Sequence, residues 1–183
     1  MPSAALFNGK KIDYQFTKAE VYYLEMHHQP ELILPPVDWS FKRIGPPIST
    51  SVYLYYYYTT GISYNWLDRL VMPAIELNQL INDPSAASYA LALNGEEAGF
   101  AEFIFNGVFT EIQYFGLFPG FTGQGWGKIF LRQVINKAWS YAPKWIQLNT
   151  CSLDHPSALP VYTSVGFKIV KTEVGERKIL VNL

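Results

Sequence analysis

Short runs rich in apolar residues are punctuated by polar Asn-Gly pairs through the middle of the chain, and apolar residues then recur every three or four positions after Pro119. The first pattern predicts strands and the second a helix that buries one face. "ASYALAL" leads into Asn94-Gly95, a strong hairpin signal, "EEAGFAEFIF" returns, Asn106-Gly107 turns the chain again, and "VFTEIQYFGLF" runs on. Three strands joined by two tight turns predict an antiparallel meander. Ile129, Phe130, Val134 and Ala138 mark one face of a helix from about Gly125 to Tyr141. "KWIQLNT" then reads as a buried strand and "PSALPVYTSV" as a short helix from Pro156 to Gly166. "FKIVKTEV" and "RKILVNL" read as a closing hairpin across Gly175.

The N-terminal part is less regular. Residues 12–17 and 19–26 are rich in β-formers and predict two strands. Five prolines between Gln29 and Thr50 predict an irregular connection up to about Ser49. "TSVYLYYYYTT" suits a strand or a helix by pattern, and Gly61 directly after it favours a helix. Leu67, Leu70, Val71, Ile75, Leu77 and Leu80 predict helices over 63–71 and 73–82. The order of elements predicts an α/β or α+β fold, a sheet flanked by helices, within one domain spanning the 183 residues.

Composition narrows the function. The net charge is −1 without a long Lys/Arg run, which argues against a nucleic-acid partner. The single cysteine, Cys151, excludes an internal disulfide framework and fits a reducing compartment. No basic start followed by an apolar run opens the chain, and no apolar stretch approaches about 20 residues, so the expectation is a cytoplasmic protein that does not span a membrane. His27, His28 and His155 are too scattered to predict a metal site.

Four glycines within eight residues, in "GFTGQGWG", stand between a strand and a helix. The first-turn N–H groups of a helix have no intrahelical partner and face an anion favourably, and bare glycines let a pyrophosphate approach the backbone. The same glycines also suit a turn that merely lets strand and helix pack. Two phosphate loops are excluded by spacing. A P-loop needs Gly at 122 and Ser or Thr after the Lys, where this chain has Thr122 and Ile129. A dinucleotide fingerprint needs G-x-G-x-x-G and a later carboxylate; here the spacing is G-x-G-x-G and "PKWIQ" follows.

Thr122-Gly123-Gln124-Gly125-Trp126-Gly127 resembles the acyl-CoA-binding motif of the GNAT superfamily of N-acetyltransferases, Arg/Gln-x-x-Gly-x-Gly/Ala, with Thr122 departing at the first position. "TEIQYFGL" before it and "NTCSLDHPSALPVYTSVGF" after it are similar to the family's fourth strand and closing motif, so the resemblance covers about residues 87–173. It is closer still to an uncharacterised bacterial subgroup of that family. The resemblance implies a mixed, mostly antiparallel sheet and an N-acetyltransferase that uses acetyl-CoA. Phe115, Gly116 and Leu117 would align the thioester arm, and the Leu117 N–H would stabilise the oxyanion. Thr122 to Lys128 would take the pyrophosphate, with Asp154 and Ser157 beside the arm. Asp154 alternatively caps the helix begun at Pro156. Tyr162 stands where the family carries its proton donor to the CoA sulfur, with a packing tyrosine as the alternative.

Glu111 lies six residues before Leu117, so strict alternation puts both side chains on one face; it is the candidate general base, with a solvated strand carboxylate as the alternative. Tyr56, Trp66, Asp68 and Arg69 are the expected border of the acceptor site. The expected partner is a small-molecule or peptide amine, with no nucleic acid or membrane; the C-terminal hairpin suits pairing in a homodimer. The competing readings are a non-catalytic acyl-CoA sensor and a nucleotide-binding protein.

Overall fold

The computed structural model describes residues 3–7, 10–31 and 36–182. Among these, eight strands form one mixed, mostly antiparallel sheet with helices on both faces. The central meander is as the pattern predicts: β4 (Ala86–Leu93), β5 (Glu96–Phe105) and β6 (Phe109–Leu117) pair antiparallel in succession. Positive φ at Asn94 (52°) and Gly95 (82°) makes the first turn, and Asn106 Oδ1 accepts from Val108 N (2.9 Å) and Phe109 N (2.8 Å) to hold the second. Helix α3 (Trp126–Trp139) carries the chain over to β7 (Trp145–Cys151), which lies parallel to β6.

Four expectations from the sequence are corrected. The stretches 12–17 and 19–26 belong to one strand, β2 (Lys10–Met26), which pairs with β1 (Ser3–Phe7) near its start and with β7 near its end. The proline-rich connection, whose residues 32–35 lie outside the described residues, contains β3 (Trp39–Ile44), paired with β4. Prolines flank β3 without entering it, which suits a short strand at a sheet's end. Gly175 does not turn the chain: β8 (Lys168–Asn182) is continuous and pairs antiparallel with β2, Gly175 opposite Ala19.

Residues 63–71 form no α-helix. A single 3-10 turn (Ile62–Tyr64) ends at Asn65 in the left-handed region (φ 59°), and Trp66 N donates to Gly61 O at 3.0 Å. Leu67 and Leu70 are nonetheless buried, so apolar spacing here reflects single turns that dip into the core.

The tyrosine run does form a helix, α1 (Thr50–Gly61), capped by Ser49, whose hydroxyl accepts from Val52 N at 3.3 Å. Tyr53, Tyr56 and Tyr57 are buried at helical spacing while Tyr55 is exposed. With α2 (Ala74–Ile81) they cover one face of the sheet, over Ile12 and Phe100. Leu131, Val134, Ile135 and Ala138 of α3 cover the other face over Phe103, Ile112, Ile146 and Leu148, beside Val165 and Phe167, which follow α4 (Ala158–Ser164). None of the described helices is long and apolar enough to cross a membrane.

Gly61 fixes where α1 meets the next segment. A Cβ built there would lie 2.1 Å from the Trp66 ring, so the indole rests on bare backbone. Gly61→Ala is expected to push the indole away and destabilise the protein by about 1–3 kcal/mol. A denaturant titration of both proteins checks this.

Candidate active site

β6 and β7 pair only from Phe109 to Glu111 against Trp145 to Gln147 and then separate, although β6 continues to Leu117 and β7 to Cys151. The β7 side of residues 112–117 is therefore open. Phe118 N donates to Ala98 O on β5 at 2.8 Å. Backbone donors alternate sides along a strand, so the Leu117 N–H points away from β5, into the opening. Gly116 permits a close wall on the α1 side: a Cβ there would stand 2.5 Å from Thr60 Cγ2 and 3.6 Å from the Trp66 ring. Thr60 Oγ1 is buried without a hydrogen-bond partner.

A cleft of about 700 Å³ follows this opening. On the α3/α4 face it is lined by Phe115, Leu117, Thr122, Gly123, Gly125, Gly127, Lys128, Asp154, Ser157 and Tyr162. On the α1 face it is lined by Tyr57, Thr60, Trp66, Asp68, Tyr114 and Asn149. It thus joins the two sides of the sheet at the split.

The glycine loop has the geometry of an anion cradle. Gly123 (φ 74°) and Gly125 (φ 84°) adopt left-handed backbone that other residues resist, and Gly125 caps α3 without a side-chain bond. The first-turn N–H groups are left free of a capping side chain, with Lys128 beside them. A Cβ at Gly123, Gly125 or Gly127 would meet nothing within 4 Å, so the space beside all three is empty of protein. These features fit a pyrophosphate followed by an extended arm along β6, the shape expected of CoA. Among the described residues, no group of three or more His, Cys, Asp or Glu is placed to hold a metal.

Not every predicted loop residue faces the cleft. Gln124 Nε2 donates to Gly120 O (2.8 Å) and Trp126 Nε1 donates to Gln124 Oε1 (3.3 Å); both side chains brace the loop, outside the cleft lining. Thr122 lines the cleft, and its hydroxyl donates to Pro119 O at 2.9 Å.

On the α4 side, Asp154 does not cap the helix. Its carboxylate accepts from Thr150 Oγ1 (2.6 Å) and Cys151 N (2.9 Å), closing the end of β7, while α4 starts from Ser157 without a side-chain cap. Tyr162 packs edge-on against Phe167, with 6.3 Å between ring centroids. Burial raises its hydroxyl pKa above the ordinary tyrosine value, and the negative charge of Asp154 adds to the effect. The hydroxyl therefore stays protonated at neutral pH and is available as a donor.

Glu111 is displaced by a bulge. Glu102 pairs with Tyr114 and Phe103 with Ile112, so Gln113 is an extra residue on β6 and reverses the alternation. Glu111 and Leu117 consequently face opposite sides, contrary to strict alternation. The Glu111 carboxylate accepts from Gln147 Nε2 (3.4 Å) and Asn149 Nδ2 (3.5 Å), and of these three only Asn149 lines the cleft. Burial raises the Glu111 pKa above the usual carboxylate value, partly offset by those two donors.

Two expected acceptor residues are elsewhere. Tyr56 bonds Glu97 and stacks on Phe100, while Arg69 is buried with Nη2 donating to Glu102 Oε1 (3.1 Å) and Nε to Tyr53 OH (3.2 Å). Tyr53 also bonds Glu102. Trp66 and Asp68 do line the cleft, Asp68 paired with Lys178. The neighbour Tyr57 occupies the place expected for Tyr56, one helical step round. Tyr114, Asn149, Arg177 and Lys178 also line the cleft, and no local pattern marked them in the sequence.

The family model described as "Acetyltransferase (GNAT) family" matches residues 52–167, more than half of the chain. No curated protein matches in sequence. Solved structures similar in fold include a GCN5-related N-acetyltransferase from Kribbella flavida, 16% identical with a TM-score of 0.58, over 90% of this chain and 59% of that one. Another is a GCN5-related N-acetyltransferase from Sphaerobacter thermophilus, 10% identical, TM-score 0.58, over 91% and 53%. A functionally unknown conserved protein from Staphylococcus epidermidis is 15% identical, TM-score 0.57, over 90% and 62%. The chain thus spans between half and two thirds of the length of these proteins.

Gly127 separates the cradle from helix stability. Gly127→Ala removes a glycine from the first turn of α3 without a protein clash, so the protein is expected to gain up to about 1 kcal/mol in stability. CoA binding is expected to weaken by about tenfold as the methyl group enters the cradle. Thermal unfolding and calorimetry on the same two proteins read both changes.

Proposed function

Because the chain belongs to the acetyltransferase (GNAT) family, we propose that it moves an acetyl group from acetyl-CoA to the amine of a small molecule or peptide by direct attack in a ternary complex. The observation that carries this reading is the continuous cleft, which runs from the α3 cradle along the open edge of β6 to the opposite face of the sheet. A donor lying on the α3/α4 face and an amine entering from the α1 face meet beside Leu117.

Acetyl-CoA supplies an activated thioester when bound. Gly123, Gly125 and Gly127 with Lys128 hold its pyrophosphate at the α3 N-terminus. The Leu117 N–H donates to the carbonyl oxygen as negative charge develops there. Tyr162 gives its hydroxyl proton to the sulfur as the C–S bond breaks, and the tyrosinate regains a proton from water in the open cleft. Glu111 takes the amine proton through a water beside Asn149, since its own carboxylate stands outside the cleft lining.

The test is release of free thiol from acetyl-CoA across a panel of amines, with CoA binding measured separately. Thiol release with at least one amine supports the transferase; tight CoA binding with no release for any amine identifies a sensor instead. Tyr162→Phe is expected to lower kcat at least tenfold with CoA affinity kept. An unchanged kcat removes Tyr162 from proton donation.

Glu111→Gln is expected to lower kcat about 100-fold and to abolish the acid limb of the pH–rate profile. In wild type that limb lies above the ordinary carboxylate range, because burial raises the Glu111 pKa. The same shift has a stability signature. A carboxyl with a raised folded pKa stabilises the fold fully below its unfolded pKa, and this is lost as pH rises through the folded value. The stability of Glu111→Gln relative to wild type therefore rises with pH across that window, as denaturant titrations at several pH values would show.

A further inference from the structure

The α1-face half of the cleft carries more positive charge than the acceptor amine alone explains. Asp68, the carboxylate nearest in role to an ammonium receiver, is already paired with Lys178. Arg177, the residue before Lys178 on β8, also lines the cleft. Its Nη1 donates to Glu176 O at 3.0 Å, and among the described residues it forms no ion pair. Its charge acts on the Cys151 thiol, which places the guanidinium at the end of β7. Cys151 and Asn149 alternate with Leu148, which is buried on the α3/α4 face, so both belong to the α1 side.

Gly175 explains how Arg177 reaches this place. A Cβ at Gly175 would lie 3.2 Å from Arg177 Nη1 and 3.3 Å from Val21 Cγ2. The guanidinium thus lies back across bare strand, and a side chain at 175 would crowd it out. A planar guanidinium with free N–H groups matches a carboxylate with two parallel hydrogen bonds and repels a second ammonium. Two carboxylates lie near this half: Glu173, which the Arg177 charge also reaches, is held by Tyr23 OH (2.6 Å) and Lys171 Nζ (2.5 Å), and Glu111 is turned to Gln147 and Asn149. Trp66 and Tyr114, with ring centroids 4.9 Å apart, form an aromatic wall for the rest of the ligand.

We infer that Arg177 receives a carboxylate of the acceptor, so that the acceptor is an amino acid or a similar small amine bearing a carboxylate, in place of a plain amine or polyamine. This rests on the acetyl-transfer reading of the same cleft. It gives Gly175 a role that a hairpin turn does not.

The experiment compares matched pairs, phenylalanine with phenethylamine, tryptophan with tryptamine and lysine with cadaverine. Thiol release from acetyl-CoA and calorimetric binding to the CoA-loaded protein are both read. In at least one pair the carboxylate-bearing member is expected to be preferred about tenfold or more in kcat/KM or Kd. Arg177→Met is expected to bring that ratio close to one, and Arg177→Lys to restore part of it. Thermal midpoints and CoA affinity verify that both variants fold.

Equal use of both members in every pair overturns the inference, as does a preference that survives Arg177→Met. If plain amines alone release thiol, the transferase stands and the inference falls. If nothing releases thiol, the transferase reading fails and calorimetry decides the inference. Failure of the carboxylate-bearing members to bind, or binding to Arg177→Met as tight as to wild type, then overturns it.

Discussion

Two strands that part within a sheet leave backbone donors and acceptors without partners, and a buried unpaired group costs about 1–3 kcal/mol. β6 and β7 part after three paired residues, so six residues of β6 present an open edge to the cleft. A ligand with its own amide groups can complete that edge as a further strand would. The cleft, the turn of the Leu117 N–H toward it and access from both faces of the sheet all follow from this separation. What keeps β6 in place is its other side, where it pairs with β5 up to Leu117.

The rest of the site is built to hold the wall opposite that edge. Bare backbone at Gly61 and Gly116 lets Trp66 and Thr60 come against β6. Deeper in, Glu102 on β5 is buried with Arg69 and Tyr53, which ties the segment after α1 to the sheet. A buried ion pair contributes little net stability because its charges lose their hydration. It does penalise any arrangement that separates them, and so fixes the segment carrying Trp66 and Asp68. Tyr57 and Tyr114, two of the residues that reach the cleft from this side, sit beside the cluster with ring centroids 4.9 Å apart.

Local pattern was enough for the meander, α3, β7 and the glycine loop, since each depends on near neighbours in sequence. Positive φ at Gly123 and Gly125 is a local demand, and the sequence meets it locally. Glu111 shows where this stops. Nothing in "TEIQYFGL" marks Gln113 as an extra residue, because a bulge is set by how two strands match across their whole length. Tyr56 and Tyr57 are alike as letters, and only the direction in which α1 packs decides which one meets the cleft. Gly175 was equally ambiguous, a turn by composition and a strand residue by pairing with Ala19.

The sequence by itself determined the central meander, α3, β7, α4, the glycine loop before α3 and the family resemblance, because periodicity, turn chemistry and motif spacing are properties of contiguous residues. The tertiary structure alone decided the α1-face half of the cleft. Its walls come from α1, the turn after it, β6, β7 and β8. Arg177 and Asp68 are more than a hundred positions apart in the chain, and they share a site only because β8 lies along β2 and Lys178 reaches Asp68. Contacts of that kind arise from the packing of a whole sheet, which leaves no signature in any short stretch of residues.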